Sequence, residues 1–141
     1  MKIYFSASIS GGRAFLDIYK KIVAYLKQRN LEVLTEHIIV DNIFDFEQKW
    51  SPREIFERDI HWLDESDVVI AEVSNPSLGV GYEICYALEH HIPTLCLYQP
   101  GIFVSRMIIG NTSPHLLLFE YPDESQLYQQ IERFILDNGH H

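Results

Sequence analysis

Residues 67–83 read DVVIAEVSNPSLGVGYE. The first seven form an apolar, β-branched run of the kind that parallel sheets bury on both faces. Proline and glycines then break the chain, and helical spacing resumes over roughly 80–91. Pro93 leads into a second strand-like run, TLCLY, at 94–98. Strand, crossover helix and strand make a βαβ unit, which commits the chain to a parallel sheet with helices packed on it.

Outward from this unit the alternation continues. Upstream, KIYFSA (2–7) reads as a strand and SISGGR (8–13) as a loop. An amphipathic helix then runs to about residue 29, with Leu16, Tyr19, Ile22, Val23 and Leu26 at helical spacing and Asn30 as its stop. LEVLTEHI (31–38) is expected as a strand and 39–50 as a loop carrying aromatic residues, before a helix over 52–65 with Pro52 at its start and Ser51 as cap. Downstream, Gln99-Pro100-Gly101 breaks the chain before a short apolar helix near 102–109. HLLLFEY (115–121) is the fifth strand, and 123–137 a closing helix with Leu127, Ile131, Phe134 and Ile135 inward. The expected fold is a single α/β domain over 1–141, a three-layer α/β/α sandwich around a five-stranded parallel sheet of flavodoxin-like or Rossmann-like order. Such folds bind ligands beyond the carboxyl ends of their strands, which directs attention to the loops 6–13, 39–51, 74–82 and 99–113.

Composition narrows the partners. Eleven basic residues against twenty acidic ones, a formal charge of -9 in 141 residues, argue against nucleic acid and against an anionic membrane surface. A small phosphorylated ligand stays compatible, because backbone N–H groups bind phosphate without net positive charge. No stretch approaches the roughly 20 apolar residues of a bilayer span, and MKIYFSAS turns polar too soon for a signal peptide. Cys85 and Cys96 both fall in apolar segments and read as buried free thiols of a cytoplasmic protein. No His/Cys/Asp spacing matches a zinc site, and neither a P-loop nor a GxSxG elbow is present. The His90-His91 pair complements a helix end, and His140 and His141 are given no role.

Two glycine-bearing turns, SGGR at 10–13 and PSLGVG at 76–81, follow strands expected on the same edge of the sheet. Each alone fits a tight turn as well as a phosphate cradle; together they favour a ligand, with Ser77 adding a hydroxyl. Arg13 is either a phosphate partner or a solvated helix residue. Behind the second turn stands Glu83, which the dipole of a helix starting nearby would favour and keep ionised. Asp59 is more informative. On a helical wheel it falls between Ile55 and Leu63, inside an arc completed by Phe56, Ile60 and Trp62, while Arg53, Glu54, Glu57, Arg58 and His61 lie opposite. A carboxylate there is either a core aspartate held by backbone donors or a cleft residue with a raised pKa; the cleft reading suits proton transfer. Tyr4, alone a core aromatic, gains interest because its strand should lie beside 67–73.

YFSASISGGR (4–13), DIHWL (59–63), DVVIAEVSNPSLGVGYE (67–83) and VSRMI (104–108) resemble, in the same order, the 2'-deoxynucleoside 5'-monophosphate N-hydrolases of the nucleoside 2-deoxyribosyltransferase superfamily. That resemblance implies cleavage of an N-glycosidic bond to free base and deoxyribose 5-phosphate, without metal or redox cofactor. It implies Glu83 as nucleophile, Tyr4 beside it, and Asp59 next to base and sugar. Ser77, Gly79 and Ser8 match phosphate contacts, with Ser10, Gly11 and Arg13 in the first loop, and Ser105 matches a serine reaching in from the neighbouring subunit of a homodimer. One departure stands out: Ser10 occupies the place of an arginine before the paired glycines. Alternatives are a deoxyribosyltransferase, a ribonucleotide N-glycosidase and a non-catalytic nucleotide sensor.

Overall fold

The computed structural model describes residues 1–9 and 14–139. Five parallel strands, β1 (Lys2–Ala7), β2 (Glu32–Val33), β3 (Val68–Glu72), β4 (Thr94–Tyr98) and β5 (Leu116–Glu120), lie in the order β2-β1-β3-β4-β5. This is the flavodoxin-like order. The register pairs Tyr4 with Val69 and Ser6 with Ala71. From β1 the chain builds first to one side and then, through β3, to the other, so the crevice between their carboxyl ends is the topological switch point.

Among the described residues, five α-helices lie between strands and a sixth follows the last: α1 (Leu16–Gln28), α2 (Ile43–Glu47), α3 (Pro52–Glu65), α4 (Leu78–Glu89), α5 (Arg106–Ile109) and, after β5, α6 (Glu124–Asn138). Period-2 alternation in β1 sorts its side chains between two layers. Ile3, Phe5 and Ala7 pack with Tyr19, Ile22 and Leu26 of α1 and Leu127, Ile131 and Phe134 of α6. Tyr4 packs on the opposite face with Leu63 of α3, Val69 and Ala87 of α4. Every residue of β3 is buried, as its apolar run predicts for a strand covered on both faces. Asn30, at φ 60°, ends α1 in the left-handed conformation that asparagine tolerates.

The expected second strand, 31–38, is cut to two residues. The cause is Thr35, whose hydroxyl accepts from Phe5 N (3.0 Å) and donates to Phe5 O (2.5 Å). The side chain thereby satisfies the backbone edge that a longer strand would have paired, and the chain turns into a 3-10 segment, Glu36–Ile39. The expected loop at 39–50 contains α2, anchored by the fully buried Ile43. The helix expected over 102–109 is confined to Arg106–Ile109, where Ser105 caps it by accepting from Met107 N at 3.2 Å. Cys96 is buried as expected, whereas Cys85 is exposed, because it falls on the outer side of α4. No helix among the described residues is long and apolar enough to cross a membrane.

Candidate active site

α3 starts at a complete capping box. Ser51 Oγ accepts from Glu54 N (3.1 Å), and Glu54 Oε1 in turn accepts from Ser51 N (3.0 Å), an arrangement worth about 1 kcal/mol. It fixes the phase of a helix whose apolar arc does not all enter the core. Only Leu63 is fully buried. Ile55, Phe56, Asp59 and Ile60 instead form one wall of a cleft of about 620 Å³. Ser77, Gly79, Val80, Tyr82 and Glu83 of α4 and its cap form the other, with Ala7 and Ile9 from the carboxyl end of β1. The cleft therefore lies at the switch point, and both carboxylates singled out in the sequence face it.

α4 begins at Leu78, earlier than its periodicity suggested, because Ser77 caps it by accepting from Val80 N at 3.3 Å. Glu83 is thus in the second turn, beyond the strongest reach of the helix dipole, which falls off within the first turn. The expectation that this dipole keeps Glu83 ionised does not hold. The carboxyl touches the cleft but is closely packed by protein, and burial pushes its pKa up to about 8. Ser6 Oγ donates to Glu83 Oε1 at 3.0 Å. That bond favours the carboxylate, yet one hydroxyl does not replace a hydration shell.

Gly79 and Gly81 carry no conformational strain, since Gly101 is the only described glycine with positive φ. Among the described residues, a Cβ on Gly79 would meet nothing nearer than Ser77 Oγ at 3.8 Å. Glycine in a helix costs about 0.5–1 kcal/mol relative to alanine, so Gly79 is explained by the open space it leaves in the cleft. The N–H groups of Leu78 and Gly79, at the first two positions of α4, have no intrahelical partner. They supply backbone donors where an anion can approach.

Asp59 is held from an unexpected side. Arg58, placed by the wheel among solvated residues, donates from Nε to Asp59 Oδ1 at 3.0 Å and from Nη2 to Glu47 Oε1 at 3.1 Å. Its guanidinium lies 4.9 Å from the Trp62 ring and 5.7 Å from that of Trp50. Burial raises the Asp59 pKa, with Arg58 opposing and Glu47 reinforcing the shift. His37 Nε2 sits 3.1 Å from Glu47 Oε1 and 3.3 Å from Arg58 Nη2. Burial and Arg58 lower its pKa, so one neutral tautomer must choose; a proton on Nε2 satisfies Glu47 and leaves Nδ1, which has no partner, as a bare acceptor.

The remaining sequence candidates divide. Ser8 is buried at the end of β1, and its hydroxyl donates to Pro76 O at 3.4 Å, joining the first strand to the Ser77 loop. Tyr4 is buried two residues before Ser6 on the same strand face; among the described residues Ser6, not Tyr4, is the donor to Glu83. Ser105 lies outside this cleft and lines an adjoining cavity, also about 620 Å³, with Phe103, Val104 and Met107. Ser77 borders both cavities. Ser10, Gly11 and Arg13 lie outside the described residues. Sequence reasoning missed Ser6 and Arg58. The alternation of Tyr4, Ser6 and Ser8 along one strand face was a usable signal for the first; a wheel cannot show that α2 covers the second. Among the described residues, no group of three or more His, Cys, Asp or Glu side chains is placed to hold a metal ion.

A flavodoxin-like sheet with two carboxylates facing each other across its switch point defines an α/β protein built for a small polar ligand. Residues 3–104 match the sequence profile of the Nucleoside 2-deoxyribosyltransferase family, and the chain belongs to that family. A Danio rerio 5-hydroxymethyl-dUMP N-hydrolase is 41% identical over 137 residues, covering 95% of both chains. A Methanosarcina mazei protein, named by inference as a 2'-deoxynucleoside 5'-phosphate N-hydrolase, is 43% identical over 133 residues, covering 94% of this chain and 83% of its own. Among solved structures, the CMP N-glycosidase of Clostridium botulinum shares the fold, with a TM-score of 0.70 at 18% identity over 94% of this chain and 99% of its own.

Proposed function

We propose that this protein hydrolyses the N-glycosidic bond of 2'-deoxynucleoside 5'-monophosphates, releasing free base and deoxyribose 5-phosphate. The observation that carries the reading is the placement of Asp59 and Glu83 in one cleft closed at one end by the N-terminus of α4. The names of relatives at 41% and 43% identity support it. Ser77, the free N–H groups of Leu78 and Gly79, and Ser8 receive the 5'-phosphate, together with Ser10, Gly11 and Arg13. Ile55, Phe56, Val80 and Tyr82 offer the apolar walls that sugar and base require. Ionised Glu83, oriented by Ser6 and backed by Tyr4, attacks C1' as the bond to the base breaks. Its charge stabilises the oxocarbenium-like transition state and then collapses to a glycosyl-enzyme. Asp59 delivers a proton to the departing base and takes one from the water that releases the sugar.

The second subunit enters through Ser105. Leu78, Phe103 and Met107 are 96%, 74% and 81% exposed around the cavity that Ser105 lines. Apolar exposure this concentrated favours an interface, and a homodimer would bury it while bringing a partner's serine toward the phosphate end of the cleft. We place the protein in the cytoplasm, where monophosphate substrates and reduced thiols coexist.

The test is chromatography of ribo- and deoxyribonucleosides and their monophosphates after incubation with the protein. Base released from deoxyribonucleoside monophosphates well ahead of the unphosphorylated nucleosides is the expected result. Tight binding without released base over long incubation would leave a nucleotide sensor instead. Exchange of an added second base into nucleoside would make it a transferase, and preference for ribonucleotides would reassign the sugar.

A further inference from the structure

The geometry points to Arg58 as a positioning residue that tethers Asp59 from outside the cleft, holding one carboxylate oxygen so that the other is presented to the ligand. This rests on the role given to Asp59 above. Consecutive helical residues diverge by about 100°, so an arginine and the aspartate after it do not meet by default. Here Glu47 of α2 and the rings of Trp50 and Trp62 bend the guanidinium back. Its side chain is only 12% exposed, against 27% for Asp59. If Arg58 served solely to fasten α2 to α3, the contact with Glu47 would suffice. The added bond from Nε to Oδ1 fixes the carboxylate's rotamer and engages Oδ1 alone. Arginine suits the task because its planar fork bonds two carboxylates at once and stays charged.

Among the described residues, the charged and titratable groups around Asp59 are Arg58 on its own helix, Glu47 from α2, His37 from the 3-10 segment and, across the cleft, Glu83 from α4. Arg58 alone among them is a permanent cation. Its loss should therefore both free the Asp59 rotamer and make that carboxyl harder to ionise.

The experiment is a double-mutant cycle, with kcat/KM measured from pH 5 to 9 on the fastest monophosphate of the panel, using R58M, R58K, D59N and R58M/D59N. We expect R58M to lose about 10- to 100-fold in kcat/KM, and to lose less than about threefold when introduced into D59N, because the two residues act as a unit. The Asp59 limb of the pH profile should move upward in R58M and stay near its place in R58K, which keeps the charge but not the fork. An equal loss from R58M in both backgrounds, or a pH profile unmoved by R58M, overturns the tether. Near-UV circular dichroism checks folding; if R58M does not fold, R58K with R58K/D59N completes the same cycle. D59N retaining wild-type turnover would refute the role of Asp59, not the tether. In that case the Asp59 carboxyl ¹³C titration in R58K, or R58M where folded, decides: unchanged chemical shift and midpoint relative to wild type overturn the tether.

Discussion

Glu83 holds its proton more tightly than a surface glutamate, with a pKa near 8 set by burial. At pH 7 about a tenth of the free protein then carries the ionised carboxylate that the proposed mechanism requires. The expected outcome is that in D59N, where the Asp59 limb is absent, the residual kcat/KM for the monophosphate rises from pH 6.5 toward 9 with a midpoint near 8. A profile that falls over this range would exchange the assignments, making Glu83 the acid and Asp59 the ionised partner. Stability moves the other way. Because the folded pKa lies above the ordinary value of 4.5, the native state binds more protons than the unfolded one between these values, and stability declines as pH rises through that window. Glu83→Gln cannot ionise. We expect its melting temperature relative to wild type to climb between pH 5 and pH 9, by the equivalent of a few kcal/mol. It should bind monophosphate while losing on the order of 10³-fold or more in base release. Substantial turnover by this variant would remove Glu83 from the mechanism.

At the scale of elements, α4 trades its own stability for the cleft. Gly79→Ala should raise stability by about 0.5–1 kcal/mol, since among the described residues only Ser77 Oγ lies within 4 Å of the new methyl. The same methyl enters the space beside the donors proposed for the phosphate, so KM for the monophosphate should rise severalfold; a variant both stabilised and kinetically unchanged would show that Gly79 borders no ligand. Ser77→Asp separates the two duties of the cap. Aspartate caps as well as serine, so melting should change little, while its charge should weaken monophosphate binding by at least about tenfold through proximity to the phosphate; unweakened binding would place the phosphate elsewhere. The same elements show what was legible in the sequence. β3 was readable because burial on both faces leaves an unbroken apolar run, and α3 because its apolar arc recurs at helical spacing behind Ser51 and Pro52. Asp59 was readable as the exception within that arc. The second strand was misread because its sequence is strand-like and only the long-range contact of Thr35 with Phe5 ends it. Arg58 was misread because a wheel assigns faces of one helix and knows nothing of α2 laid over it.

For the whole molecule, the order β2-β1-β3-β4-β5 follows from one reversal of winding, and that reversal opens the crevice where α3 and α4 face each other. Locating that crevice needs only the alternation of strands and helices, which is why the loops at the carboxyl ends of the strands could be singled out as candidates from the sequence. Assembly is a different matter, because an interface is read from what remains exposed after folding. Leu78 and Met107, 96% and 81% exposed, belong to different helices and flank one cavity, a juxtaposition invisible along the chain. If Ser105 completes the phosphate site of the partner subunit, Glu83→Gln and Ser105→Ala damage different halves of a shared site. In a heterodimer of the two variants, one site carries both defects and the other carries neither. Mixing the two inactive or weakened proteins at equal concentration, under conditions where subunits exchange, should restore activity toward a quarter of wild type, since half the dimers are mixed and half their sites intact. Adding Met107→Glu to both chains should bury a charge in the interface, abolish the restoration and shift sedimentation to the monomer. If Ser105 served its own chain, every site of the mixed dimers would stay defective, and activity would never exceed the average of the two parents.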